Sequence, residues 1–236
     1  MKNHSSLKKK NAARYIARMF LSLLAQGIIF FSAAGTLEIP RAWLFFIITF
    51  SYYLISTIIL FKITPTLVNQ RGGPAFEDNT PTWDKIILLT YTVLGLYVQI
   101  FIAGWDVGQL HWWPRGMESL IAGLVLYLIS VILIMWAMVK NPFFEASAHI
   151  QADRGQEVVK TGPYNFIRHP GYLSGILWHV AVPLIIGSSL ALLFSLSVII
   201  LLLIRTYLED CLLKEELEGY YPYSQQVKYR LLPGLW

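Results

Sequence analysis

Long runs of apolar residues dominate this chain and alternate with short polar segments. A helix needs about 20 apolar residues to cross ~30 Å of hydrocarbon, and it pairs its own backbone polar groups as it does so. Four runs meet this requirement without an internal acidic residue: 15–37, 42–61, 86–104 and 120–139. They predict four transmembrane helices in an all-α, polytopic membrane protein.

A fifth apolar run, 172–204, is too long for a single span. Pro183 and the Gly187-Ser188-Ser189 sequence interrupt it, and both features disfavour one continuous helix. The run therefore predicts a C-terminal helical hairpin with short arms. Two arrangements remain open at this point: a pair of tilted spans, or a re-entrant pair that dips into the membrane and returns.

Composition and charge agree with a membrane protein. Of the residues, 56% are hydrophobic and 14% are charged, whereas soluble domains have about one quarter charged residues. All Lys and Arg except Arg41 and Arg115 fall in the two ends of the chain, in the 62–85 loop, or in the polar segment that follows the fourth run. The positive-inside tendency then predicts that these segments and both termini are cytoplasmic, so the net charge of +5 does not indicate nucleic acid binding.

No linker separates two hydrophobic cores, so residues 1–236 are predicted to form one domain. Its N-terminal helices lie in 1–140, and cofactor binding and catalysis are expected in 141–236. The single cysteine, Cys211, excludes an internal disulfide and a multi-cysteine metal site. Because no two histidines in 141–236 are four residues apart, as helical zinc ligands are, no metal is predicted.

The polar segment 141–172 concentrates the side chains that can carry chemistry. Its second half holds a Gly-Pro turn, three aromatic rings and the basic pair Arg168-His169. Pro170 is predicted to begin the next helix, whose free amide groups would face a polar pocket suited to a carboxylate or a ribose hydroxyl. The alternative is that Arg168 and His169 pair with lipid phosphates at the membrane surface.

Other polar residues each have two interpretations. Arg205 and Glu209 share one helix face, where they either form a salt bridge contributing about a few tenths of a kcal/mol or face a common site. His179 lies seven residues after Tyr172 on the same helix face, where it either contacts a substrate or makes a helix–helix hydrogen bond. The 62–83 loop is either a surface loop or a flap over the site.

Three features follow one another in the C-terminal part of the chain. They are Gly162-Pro163-Tyr164 with Arg168-His169-Pro170 and Tyr172; Arg205 with Glu209-Asp210; and a tail containing Glu216-Leu217, Gly219-Tyr220, Tyr223, Val227, Tyr229-Arg230 and Pro233-Gly234. In this order they resemble the membrane isoprenylcysteine carboxyl methyltransferases, a family similar to the phospholipid methyltransferases. The resemblance covers about the last hundred residues.

This resemblance implies S-adenosylmethionine as the methyl donor, bound on the cytoplasmic side, and a lipophilic acceptor that arrives from the bilayer. It implies that Glu209 meets the cofactor and that Arg205 orients the acceptor, which in this family is most often a carboxylate. The other implied cofactor contacts are Gln151, Gln156, Glu157, Val158, Val159, Tyr164, His169, Pro170, Gly171 and Tyr172. The family usually has histidine where this chain has Gln156. A glutamine can still form hydrogen bonds there, but it cannot perform a role that needs an imidazole. Methyl transfer from a sulfonium is a direct displacement, for which positioning can supply much of the catalysis without a metal.

Two other function classes remain open from the sequence. One is a membrane reductase of similar helical architecture that uses NADPH. The other is a transporter or lipid-binding scaffold, for which Pro183 and the broken hairpin are the only hints. Among methyl acceptors, a prenylcysteine, a phospholipid amine, a fatty acid and a small thiol are all compatible with the sequence.

Overall fold

The computed structural model describes residues 2–112 and 116–236, in which helices are the only regular secondary structure. The main helices are α1 (Lys2–Ala34), α2 (Pro40–Ile63), α3 (Pro65–Arg71), α4 (Thr82–Leu110), α5 (Met117–Lys140), α6 (Pro170–Ile186), α7 (Ser189–Glu216) and α8 (Tyr220–Gln226). Two short 3₁₀ turns, Ala152–Arg154 and Gly162–Asn165, punctuate the polar insert between α5 and α6. Arg115, which the charge pattern assigns to the side opposite most cations, lies outside the described residues.

Within residues 2–112 and 116–236, five helices are long and apolar enough to cross a membrane: α1 from Asn11, α2, α4, α5 and α7. The first four confirm the four spans predicted from the sequence. Helix α4 is longer than its apolar run, because polar residues at both ends join it and because the helix continues through π-helical stretches at Thr92–Val98 and Asp106–Leu110. The fold is therefore the predicted polytopic helical membrane protein.

The structure corrects two details of the predicted hairpin. Its second arm is not short: α7 has 28 residues, because charged residues beyond the apolar run continue the same helix. Pro183 does not interrupt the first arm but lies inside α6, near its end. The break occurs at Gly187, whose φ of 94° is left-handed, and at Ser188, whose side chain accepts a hydrogen bond from Ala191 N and so caps α7.

Small residues allow two pairs of helices, α5 with α6 and α4 with α1, to approach closely. A side chain at Gly123 of α5 would come within 2.7 Å of the backbone nitrogen of Ile185 and 2.9 Å of the carbonyl oxygen of Ala181. Gly104 of α4 is equally close to α1, where a Cβ would meet the carbonyl oxygen of Phe30 at 2.3 Å. These contacts resemble the small-residue packing of membrane helices, in which backbones rather than long side chains meet.

The loops and short helices gather at the two ends of the bundle. At one end, α3, the insert and the segment before α4 are joined by Arg71 Nη1 to Phe144 O at 3.1 Å and by Asn79 Nδ2 to Ile150 O at 2.8 Å. At the other end, Arg41 Nη2 donates to Gly116 O at 2.8 Å. The segments that the charge pattern assigns to one side of the membrane therefore share one end of the bundle, while the identity of that side as cytoplasmic stays a prediction.

Candidate functional site

A cavity of about 300 Å³ lies at the end of the bundle where the insert meets α4, α6, α7 and α8. This volume is at the lower end of the range typical of small-molecule sites, roughly 300–1,000 Å³. Every position implied as a cofactor contact lines it, and so does Arg205: Gln151, Gln156, Glu157, Val158, Val159, Tyr164, His169, Pro170, Gly171, Tyr172 and Glu209. The structure thus brings together, around one cavity, residues that are spread over 59 positions of the sequence from Gln151 to Glu209.

The first part of the insert is closed into a tight loop by its own side chains. Gln156 Oε1 accepts a hydrogen bond from Gln151 N at 2.7 Å, across a turn in which Gly155 has a left-handed φ of 61°. Gln151 Nε2 in turn donates to Phe143 O at 2.9 Å, and its oxygen accepts from Arg154. Gln156 therefore has a role within its own loop in addition to lining the cavity.

Arg154 also forms an ion pair with Glu145, at 3.1 Å between Nη1 and Oε1. Burial raises the pKa of the Glu145 carboxyl, while nearby His149 and Arg154 oppose that rise. Glu145 and His149 line the cavity beside Gln151, so this wall combines acidic, basic and amide groups.

The Gly162–Asn165 turn carries Tyr164 to the cavity wall. Gly162 has a φ of 65°, and Lys140 and Trp136 of α5 lie against it so closely that a Cβ would meet both. Asn141 Nδ2 donates to Tyr164 Oη at 3.1 Å, and Tyr223 Oη donates to Tyr164 O at 2.6 Å. Burial raises the pKa of both phenols, so both remain protonated near neutral pH.

Asp210 is the centre of a buried polar cluster behind this wall. Its oxygens bind five groups: Arg168 Nε (2.8 Å), His169 Nε2 (3.3 Å), Lys214 Nζ (2.8 Å), Tyr220 Oη (3.0 Å) and Arg230 Nε (3.0 Å). Arg168 and His169 are both buried, so the alternative that they pair with lipid phosphates is wrong. The cluster instead ties the start of α6 to α7 and α8, and it holds His169 at the cavity.

Arg205 forms a second buried ion pair, with Asp84 of α4. Arg205 Nε donates to Asp84 Oδ1 at 2.7 Å, and Arg205 Nη2 donates to Ala146 O at 2.5 Å. Asp84 Oδ2 also accepts from Ala148 N at 2.8 Å, so this one carboxylate binds both α7 and the insert. The predicted alternative, a salt bridge between Arg205 and Glu209, is not the arrangement found.

Glu209 lies beside Arg205 in the cavity but has a different partner. Tyr172 Oη donates to Glu209 Oε2 at 2.5 Å, and the Arg205 guanidinium lies over the Tyr172 ring at 5.6 Å from its centre. These three side chains therefore place a carboxylate, a hydroxyl and a cation on one wall. An aromatic face and a carboxylate together are suited to a cationic ligand.

His179 is the one predicted site residue that does not line the cavity. It is fully buried, with Nδ1 at 2.6 Å from Gln99 Oε1 and Nε2 at 3.1 Å from Tyr91 Oη. Gln99 Nε2 donates to His179 O at 2.9 Å, which completes a link between α4 and α6. These contacts favour the interpretation that His179 makes a hydrogen bond between helices. Its partner Tyr91 lines the cavity, whereas His179 itself does not.

Sequence reasoning missed two important residues. Asp84 was outside the predicted spans and carried no motif, because its partner Arg205 is 121 positions away. Asp210 stands next to Glu209 in the sequence, and its spacing of four from Lys214 predicts one local ion pair but none of its other partners. Among the described residues, no group of three or more His, Cys, Asp and Glu side chains could hold a metal ion.

A comparison with known families gives a match over part of the chain. Residues 123–215 match the model of the isoprenylcysteine carboxyl methyltransferase (ICMT) family, which confirms the resemblance found in the sequence. The match includes the insert, α6, Arg205 and Glu209, but not the tail beyond residue 215 or the first 122 residues. It supports a membrane methyltransferase in general. A comparison with curated proteins gave no significant match.

Proposed function

From the family match over residues 123–215, we propose that this protein is an integral membrane methyltransferase that uses S-adenosylmethionine to methylate a lipophilic acceptor. The observation that carries the proposal is the cavity itself, which all the implied cofactor positions and Arg205 line together. The proposed acceptor is prenyl-linked or otherwise lipid-like, and the proposed reaction is O-methylation of a carboxylate.

The chemistry of the cavity walls fits the proposed cofactor. S-adenosylmethionine, when bound, supplies a methyl group activated by a sulfonium, together with an ammonium, a carboxylate and ribose hydroxyls. Glu209 offers a carboxylate for an ammonium group, in a charge-assisted hydrogen bond. The ring of Tyr164 lines the cavity and offers a face that favours a cationic centre, whereas the Tyr172 ring already has the Arg205 guanidinium over it. Gln151 and the backbone amide of Gly171 line the cavity and can bind hydroxyl or carboxylate oxygens, whereas the next two amides of α6 already donate to His169 O.

Arg205 is proposed to orient the acceptor. Its guanidinium is held by Asp84 and by the Ala146 carbonyl, which restricts its rotation and fixes the direction in which its remaining N–H groups point. A fixed, planar donor set suits an acceptor carboxylate, because both groups can align before the methyl group moves. Apolar side chains from the spanning helices, Leu88, Ile134 and Leu202, line the same cavity and suit a lipid tail.

The proposed location follows from the charge pattern. The cavity is at the bundle end that carries α3, the insert and α8, and the cations near these elements favour the cytoplasmic side. The N- and C-termini are proposed to be on this side too. The acceptor would then enter from the inner leaflet and the cofactor from the cytoplasm.

The direct test is methyl transfer by the purified protein to lipids from the cells that produce it. Purified protein in lipid nanodiscs is incubated with S-adenosylmethionine that carries an isotopically labelled methyl group, together with a lipid extract of the cells that produce it. Mass spectrometry is then expected to find the label in a lipophilic product that releases labelled methanol in mild base, as a methyl ester does. A lipophilic product that keeps its label in mild base would support methyl transfer but replace carboxylate O-methylation by N- or S-methylation. The absence of any labelled lipid would contradict the proposal.

A further inference from the structure

Exposed apolar side chains lie outside the spanning helices, in the segment that follows α8. Leu232 is 44% exposed and Leu235 is 78% exposed, and both belong to a compact turn in which Leu235 N and Trp236 N donate to Leu232 O. Arg230 N and Leu231 N donate to Trp236 O, so the turn is closed by its own backbone. A folded turn that presents leucines outward indicates an apolar surrounding rather than water.

This turn continues the apolar surface of α7. Ile200, Ile204 and Tyr207 have the spacing of one helix face, and all three are exposed on this spanning helix. The Arg230 guanidinium lies between two rings, 5.6 Å from the centre of Tyr207 and 5.0 Å from that of Trp236. We call the exposed face formed by Ile200, Ile204 and Tyr207 the lipid-facing stripe of α7. Through Arg230, the turn therefore contacts this stripe at Tyr207.

The residue types of the turn are those of a membrane interface. Tryptophan, tyrosine and arginine are amphipathic side chains that place apolar surface in hydrocarbon and polar atoms among lipid head groups. Leucines directed into the acyl region with cations above them characterise segments that lie in the plane of the interface. Arg230 also binds the buried Asp210, so its position is fixed from the protein side as well.

We propose that residues 229–236 form an interfacial segment that lies in the head-group region of the bilayer, with Leu232 and Leu235 inserted toward the acyl chains. The segment is bound directly to the wall of the candidate site, because Arg168 N donates to Tyr229 O at 3.0 Å and His169 N donates to Arg230 O at 2.9 Å. The lipid bilayer would thus contact a segment that is hydrogen-bonded to the backbone of Arg168 and His169. This proposal does not depend on the proposed function, since it concerns only which surface the membrane covers.

The test measures the surroundings of residue 235 by fluorescence quenching. Leu235→Cys is made in a Cys211→Ser background, labelled with a bimane dye and reconstituted in nanodiscs of phosphatidylcholine and phosphatidylglycerol. Two reference sites use the same background: Ile200→Cys on the lipid-facing stripe of α7, and Gln225→Cys on the exposed polar surface of α8. Brominated lipids quench dyes in the bilayer, and aqueous iodide quenches dyes in water.

Quenching by brominated lipid is expected at positions 235 and 200 alike, at least about fivefold stronger than at position 225, with iodide quenching in the reverse order. Quenching of position 235 by iodide as at position 225 would overturn the proposal. Protection of position 235 from both quenchers would also overturn it, because a protein surface rather than lipid would then cover the turn. Leu232→Cys gives the same readout if Leu235→Cys does not fold.

Discussion

Asp84 and Arg205, which are 121 positions apart in the sequence, form a buried ion pair at 2.7 Å beside the cavity. Asp84 also accepts a hydrogen bond from Ala148 N, so one carboxylate joins α4 to α7 and to the polar insert. The N-terminal helices are therefore part of the candidate site, although they lie largely outside the family match. The guanidinium proposed to orient the acceptor takes its orientation from a helix that carries no recognisable motif.

Asp84→Asn should destabilise the protein strongly. The substitution leaves the Arg205 cation buried without its anion, which in other proteins costs about 3–5 kcal/mol. The measurement is thermal or denaturant unfolding in detergent. Asp78→Asn, on an exposed aspartate of the preceding loop, is the matched control and should change stability by less than about 0.5 kcal/mol. Equal stability of the two variants would show that the ion pair between Asp84 and Arg205 does not stabilise the fold.

Gly123→Ala should also destabilise the fold, by about 1–3 kcal/mol, because the new methyl group would collide with backbone atoms of α6 rather than with a flexible side chain. Gly27→Ala is the control, since a Cβ there meets only the edge of Phe46 at 4.0 Å. Replacing glycine by alanine inside a helix otherwise stabilises it by roughly 0.5–1 kcal/mol. If Gly123→Ala behaved like Gly27→Ala in the same unfolding assay, α5 and α6 would not approach as closely as described.

Glu209→Gln should weaken binding of S-adenosylmethionine about 10- to 150-fold, which corresponds to the loss of a charged hydrogen bond of ~1.5–3 kcal/mol. The measurement is equilibrium dialysis with labelled cofactor. Glu216→Gln, seven residues further along α7 and exposed, is the matched control and should bind normally. An equal loss in both variants would argue against a direct contact of Glu209 with the cofactor.

Tyr172→Phe should act through Glu209, because its hydroxyl donates to that carboxylate at 2.5 Å. Loss of this neutral donor should weaken cofactor binding about 2- to 12-fold in the wild-type background. In the Glu209→Gln background the same change should have little further effect, since the two groups act as one unit. Independent, multiplicative losses in a double-mutant cycle would show that Tyr172 does not position Glu209.

Arg205→Lys should separate acceptor orientation from cofactor binding. Lysine keeps a positive charge opposite Asp84 but loses the planar donor set of the guanidinium. Cofactor affinity should stay within about twofold of wild type, and methyl transfer to the labelled lipid product should fall by about 100-fold or more. A loss of cofactor affinity equal to that of Glu209→Gln would contradict the separate roles given to the two residues.

The spans could be predicted because the requirement is local: a segment of sufficient apolar length forms a helix whatever its neighbours are. The break at Gly187 can also be predicted from residue type. Pro183, in contrast, does not break the helix, because it lies only one turn before the helix ends. The apolar pattern predicts too short an α7, because the apolar run stops near the membrane boundary while the helix continues through charged residues.

The candidate site was predictable where a compact motif carries it, as in the segment from Tyr164 to Tyr172. What escaped prediction are the pairings that hold the motif in place. Asp84 with Arg205, and Asp210 with Arg168 and Arg230, join residues from different helices, and a single sequence has no local signal for such partners. His179 shows the converse case, in which a polar residue on the right helix face lies too deep and is bound by Gln99.

The cavity is proposed to hold S-adenosylmethionine. The most direct test is equilibrium binding of labelled S-adenosylmethionine to the purified wild-type protein, with NADPH titrated in parallel. Saturable binding of one S-adenosylmethionine per chain, competed by S-adenosylhomocysteine and unaffected by NADPH, is the result predicted here. Saturable binding of NADPH without binding of S-adenosylmethionine would contradict the claim and indicate a membrane reductase instead.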